Sequence, residues 1–224
     1  MSKLTAAVLA AMSLSLPVSA DPLLELMRTH TKDGPVYAYE MSYEEGDLVA
    51  AGKVDPSQPE GQRISIYTPA QDDWPEDFAK GLAEMEAETD GDIWCSDFAE
   101  TVPADATITN ETATSATYAF TPLPEADADN TEKKLMKKID AEITLDKTDG
   151  AVLGVKMRLP KPYKPVFVAK IEVFDMQASC ARAPDGRTYL QDFAMAVSGS
   201  AMMQSFDERV TRKITALLDP VSLP

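Results

Sequence analysis

Apolar and polar residues alternate with a period of two along most of this chain, in paired segments separated by turn residues. In PVYAYEMSYEEGDLVAAGKV, Tyr37, Tyr39, Met41 and Tyr43 share one face, and Glu44-Glu45-Gly46-Asp47 supplies the turn of a hairpin. GQRISIYTPA continues the pattern with Ile64 and Ile66 against Arg63, Ser65 and Tyr67. Period two resumes from Ile93, where ATITNETATSATYAFTPLP predicts a hairpin about Asn110-Glu111 with Tyr118 and Phe120 on one side. AEITLDKTDGAVLGVKMRLP predicts another: Ile143 and Leu145 precede the turn Asp146 to Gly150, and Leu153, Val155, Met157 and Leu159 then alternate with Gly154, Lys156 and Arg158. VFVAKIEVFDMQASCA reads as one long strand, Pro184-Asp185-Gly186-Arg187 turns the chain, and the stretch from Thr188 supplies one or two more strands.

Helical spacing interrupts this pattern twice. Pro22 to His30 is short and amphipathic. The stretch opened by Trp74-Pro75-Glu76 and running to about Glu88 has Phe78, Leu82 and Met85 at three- and four-residue intervals, with Asp73 as the expected N-cap. Hairpins in series around one central helix predict an antiparallel meander and give no sign of parallel βαβ units.

The first twenty residues have a different character. Lys3 forms a short positive start, Leu4 to Leu16 is apolar, and Val18-Ser19-Ala20 offers the small residues that signal peptidase accepts. The run is too short to span a bilayer. The expectation is an export signal cleaved after Ala20, an exported mature protein, and one domain over 21–224. Removing Lys3 takes the formal charge from −16 to −17. So acidic a chain, with 37 acidic against 21 basic residues, is not expected to bind nucleic acid, which demands a broad cationic face. Cys95 and Cys180 are the two cysteines, and in an oxidising compartment they are expected to form one disulfide.

No constellation of nucleophile, base and orienting group emerges, so no catalytic residue, metal or cofactor is expected. His30 stands alone and suits a helix C-terminal charge. Asp127, Asp129, Asn130 and Glu132 lack the glycine and distant glutamate of a calcium loop and read as an acidic loop. Glu84, Glu86 and Glu88 do not share a helix face and read as solvated. Ser198-Gly199-Ser200 lacks a nucleophile elbow. Met195, Met202 and Met203 beside Phe193 and Phe206 suit either a pocket for variable apolar ligands or an ordinary core.

The export signal, the N-terminal helix, the successive hairpins with an interposed helix, and the ITLDKTDGAVLGVKMRLP hairpin before a closing series of long strands together resemble the LolA-like superfamily of periplasmic lipoprotein carriers and sensors. The likeness is one of architecture over most of the chain after the signal. It implies an α+β fold: a curved antiparallel β-sheet, an incomplete barrel of meander type, with a few helices on the concave side. It also implies a non-catalytic periplasmic protein that binds lipids or lipoprotein acyl chains. On that resemblance Leu153, Val155, Met157 and Leu159 form an apolar wall, and Lys156, Arg158, Lys161 and Lys164 form a cationic rim for an anionic head group, membrane surface or envelope protein. The competing explanation of the rim is that edge strands carry Lys and Pro to block aggregation. The competing function is a protein-interaction module with a filled core and no small ligand.

Overall fold

The structure is a computed structural model that describes residues 21–31, 33–124 and 128–223. The expected export signal and Asp127 lie outside the described residues. Eleven strands form one sheet: β1 (Val36–Glu45), β2 (Leu48–Val54), β3 (Ile64–Thr68), β4 (Thr107–Glu111), β5 (Ser115–Phe120), β6 (Asp140–Asp146), β7 (Val152–Arg158), β8 (Tyr163–Val166), β9 (Ala169–Arg182), β10 (Thr188–Ala201) and β11 (Gln204–Val221). Among the described residues three α-helices accompany them, α1 (Pro22–Met27), α2 (Glu76–Glu88) and α3 (Asn130–Met136).

The strand order is β3-β2-β1-β11-β10-β9-β7-β6-β5-β4, with β8 also on β9, and the pairings are antiparallel. Hairpin follows hairpin, as the alternation predicts. The exceptions are β7 on β9, which skips the short β8, and the junction of the first strand with the last, β1 on β11, which local pattern does not specify. The sheet remains an open half-barrel whose path ends at β3 and β4.

The chain passes from edge strand β3 to edge strand β4 through α2 and a 3-10 helix at Cys95–Thr101. This crossover lies against the sheet as a strap: Trp94 makes a β-bridge with Tyr189, the Leu190 N–H donates to the Ile93 carbonyl at 2.8 Å, and Cys95 is disulfide-bonded to Cys180 of β9. Arg187 closes the strap end. Its guanidinium stacks 3.5 Å from the centroid of the Trp94 ring, and the same group pairs with Asp185 at 2.6 Å.

Several local readings change. The expected strand from Val166 is broken by a two-residue turn at Phe167-Val168, so β8 and β9 form a hairpin. The turn expected at Asn110-Glu111 lies at 112–114, where the Thr112 hydroxyl accepts from the Thr114 and Ser115 N–H groups at 3.2 and 2.9 Å. Asp73 does not cap α2, because it belongs to a short 3-10 turn and Pro75 takes the cap position. Asp129 is not part of an unstructured loop. Its carboxylate accepts from Thr131 N–H (2.6 Å) and Glu132 N–H (2.8 Å) and so starts α3. Glu86 is buried rather than solvated, accepting from the N–H groups of Arg63 (3.1 Å) and Ile64 (2.6 Å), which ties α2 to edge strand β3.

Two buried clusters hold the sheet. In one, Leu24 and Met27 of α1 pack on Tyr118, Ile143, Leu145, Val155 and Met157; in the other, Tyr37, Tyr39, Met41 and Val54 pack with Ile93, Trp94, Tyr189 and Ile214. Gly150 permits the first. Its φ is +78°, and a Cβ there would lie 2.7 Å from the Met27 backbone nitrogen, so only glycine lets the turn approach α1.

Titration follows from this packing. Burial raises the pKa of Tyr39, Tyr43 and Tyr118, and hydrogen bonds to Glu45 and Asp21 raise the last two further. The Thr148 N–H lowers the pKa of Asp146, and Arg182 lowers that of Asp149. Raised tyrosines contribute stability that is complete below their unfolded pKa and lost as pH rises; lowered carboxylates contribute stability present above theirs and lost as pH falls. The urea midpoint is therefore expected to be flat near neutrality and to fall below about pH 4 and above about pH 10. Urea titrations across this range check it.

Candidate functional site

Residues directly opposite one another in neighbouring strands project from the same face. The register therefore fixes a row across nine strands: Ile108, Tyr118, Ile143, Val155, Ala178, Phe193, Arg212, Tyr43 and Ala50. The next row runs Phe120, Ala141, Met157, Met176, Met195, Val210, Glu45 and Leu48. Both are largely apolar, and both buried clusters lie on this inner face.

Coverage of the face is uneven. α1 and the strap bury the part on β5 to β7. α2 lies over β1 to β3 and leaves a cleft of about 110 Å³ between Phe78, Leu82 and Met85 of the helix and Met41, Tyr43, Ile64 and Ile66 of the sheet. Between these covers, Phe174, Met176, Phe193, Met195, Val197, Phe206 and Val210 are only half-buried. Strands of 14, 14 and 18 residues outrun the short helices, so this middle belt keeps apolar side chains in partial contact with water.

Arg212 sits in this belt, half-buried, with Phe193 and Tyr43 as its cross-strand neighbours. Its guanidinium carbon is 5.9 Å from the Phe193 ring centroid, and it has no carboxylate partner among the described residues. Glu45, in the adjacent row, instead accepts from the Tyr43 hydroxyl at 2.7 Å. An apolar belt holding an uncompensated guanidinium can receive a hydrocarbon chain and an anionic head together.

The residues that the sequence points to occupy different parts of the sheet. Val155, Met157 and Leu159 are buried, the first two in the α1 cluster and already packed by protein. Leu153 leaves that face, because a bulge lets Val152 pair with Leu145 while Gly154 pairs with Thr144. It is half-buried and borders a groove of the opposite face with Thr109, Thr117, Thr144 and Lys156. Lys156 and Arg158 are exposed on that opposite, polar face, where Arg158 lies across from Asp140 and Asp175. Lys161 and Lys164 are exposed on the segment that forms β8. His30 contacts the Asp149 carbonyl through Nε2 at 2.7 Å, beside Glu25, Arg28 and Glu100.

Sequence reasoning misses Arg212 and the cleft under α2, although Phe206, Glu208, Val210, Arg212 and Ile214 do alternate in sequence. Comparison with known protein families, curated proteins and solved structures returns no match for this chain.

Proposed function

We propose that the protein is an exported, non-catalytic carrier or sensor of lipids or lipoprotein acyl chains, working as the LolA-like resemblance implies. The observation that carries this reading is the half-buried apolar belt on the inner face, open between two helical covers. Its magnitude matters. A cleft of about 110 Å³ is smaller than the cavity of about 150 Å³ that holds a benzene-sized guest, so it accepts only a few methylenes. A longer chain would extend along Phe193, Met195 and Met176, or displace α2. At about 0.8 kcal/mol per buried methylene, roughly ten methylenes supply about 8 kcal/mol before the cost of association. The Cys95–Cys180 disulfide supports an oxidising compartment.

Native mass spectrometry and solvent extraction of the purified protein test the reading. The expected result is a co-purifying amphiphile released on denaturation. A ligand-free protein that also leaves added long-chain amphiphiles unbound would overturn it in favour of a protein-interaction module.

A further inference from the structure

At the far end of the long strands two hairpin tips stand side by side. The β8–β9 tip is Phe167-Val168 and the β10–β11 tip is Met202-Met203, and they are joined by the Met202 N–H, which donates to the Val168 carbonyl at 2.9 Å. Their side chains are unusually bare: Phe167 retains 99% of its accessible surface, Met202 77% and Met203 101%. Val166 and Val168 beside them are exposed too.

The Met202-Met203 turn is also chemically unexpected. Both residues have positive φ, +50° and +70°, the backbone that Asn-Gly adopts readily and long L side chains disfavour. Nothing local rewards methionine there, since neither side chain packs on the protein. An apolar cluster held clear of the surface against backbone preference suits a role outside the molecule.

The charge around the tips separates one kind of partner from another. Lys161 and Lys164 are exposed on the segment entering the β8–β9 tip, and α3, which packs beside β8, carries exposed Lys134, with Lys137 and Lys138 exposed just after it. None of these five has a carboxylate partner among the described residues, whereas Lys170 pairs with Glu172 at 2.6 Å and Arg209 with Asp207 at 3.4 Å. A chain of net charge −16 thus carries unpaired lysines on the segment entering the β8–β9 tip and on the helix packed beside β8, while the tips hold the most exposed large apolar side chains among the described residues. Apolar groups that enter the acyl boundary, flanked by cations that meet lipid phosphates, are the two elements of peripheral membrane attachment.

We propose that the paired tips dock this protein on an anionic lipid bilayer, with Phe167, Met202 and Met203 entering the interface and the α3 and β8 lysines lying over the head groups. The docking goes beyond the acyl-binding reading and does not require it, since a protein with a dry interior would dock in the same way. The test is co-sedimentation of the purified protein with phosphatidylcholine vesicles with and without phosphatidylglycerol. Binding is expected only with phosphatidylglycerol, and should weaken as salt is raised.

Replacing Met202→Asn and Met203→Gly restores favourable turn residues, so this variant should melt no lower than the parent while its vesicle affinity falls about tenfold or more. Lys161→Glu with Lys164→Glu should abolish the preference for phosphatidylglycerol, and a Phe167→Trp reporter should shift its emission to the blue on binding. Absence of vesicle binding by the parent, or equal binding by the Asn-Gly variant, would overturn the docking. Retention of an amphiphile by that variant distinguishes this outcome from failure of the inner-face reading.

Discussion

Replacing Cys95 and Cys180 together with alanine is expected to lower stability by about 4 kcal/mol, which for a chain of this size is a fall of about 10 °C in melting temperature. The bond closes a sequence separation of 85 residues, so its absence returns substantial freedom to the unfolded chain. It also pins the strap between β3 and β4 to β9 at a point where Cys95 is wholly buried in the α1 cluster. The attachments beside it are the Trp94–Tyr189 bridge, the Leu190–Ile93 hydrogen bond and the Arg187 guanidinium stacked on Trp94, so the loss should be felt along this part of the strap. Chemical denaturation of the parent with and without reductant, beside the double variant, measures it. A variant as stable as the oxidised parent would mean that the strap is held by packing alone.

Most of the sheet is legible in the sequence because hairpin alternation is local. Tyr37, Tyr39 and Met41 face one core, Ile143 and Val155 the other, and the period of two in each segment is enough to group them. The pairing of β1 with β11 joins the two ends of the chain, and no local signal specifies it. The tips at Phe167-Val168 and Met202-Met203 escape notice for a different reason: turns are recognised by Gly, Asn, Asp and Pro, and these turns are apolar. Leu153 lies off the expected face because a bulge shifts the face by one residue without changing the alternation that precedes it. α3 is illegible because a seven-residue polar helix depends on the Asp129 cap more than on any apolar stripe.

The candidate site is legible only in part for a related reason. Alternation identifies which residues share a face, but whether a face is covered depends on where the helices come to rest. Val155 and Met157 have the pattern of a ligand wall and are packed by α1. Phe193 and Met195 have the same pattern and stand half open, Phe193 at the margin of the α1 cluster. The chain's acidity likewise conceals the lysines of α3 and β8, which lie on elements separated in sequence that come together only when β8 and α3 pack.

Arg212→Leu is expected to weaken binding of a long-chain carboxylate or phosphate amphiphile by roughly 10- to 100-fold, the loss of one charge-assisted contact in a partly desolvated site. The same substitution should leave a neutral alcohol of equal chain length bound as tightly or slightly more tightly, because leucine extends the apolar belt between Phe193 and Tyr43. Stability should change little, since the guanidinium forms no ion pair among the described residues and its ring contact is 5.9 Å away. Paired titrations of the two ligands by calorimetry, on parent and variant, resolve the alternatives. Equal weakening of both ligands would mean that Arg212 shapes the sheet and does not meet the head group. An unchanged affinity for the anion would place the head group elsewhere, whereas selective loss of the anion fixes the ligand's orientation, with its charged end at the centre of the inner face and its hydrocarbon extending along the half-buried phenylalanines and methionines.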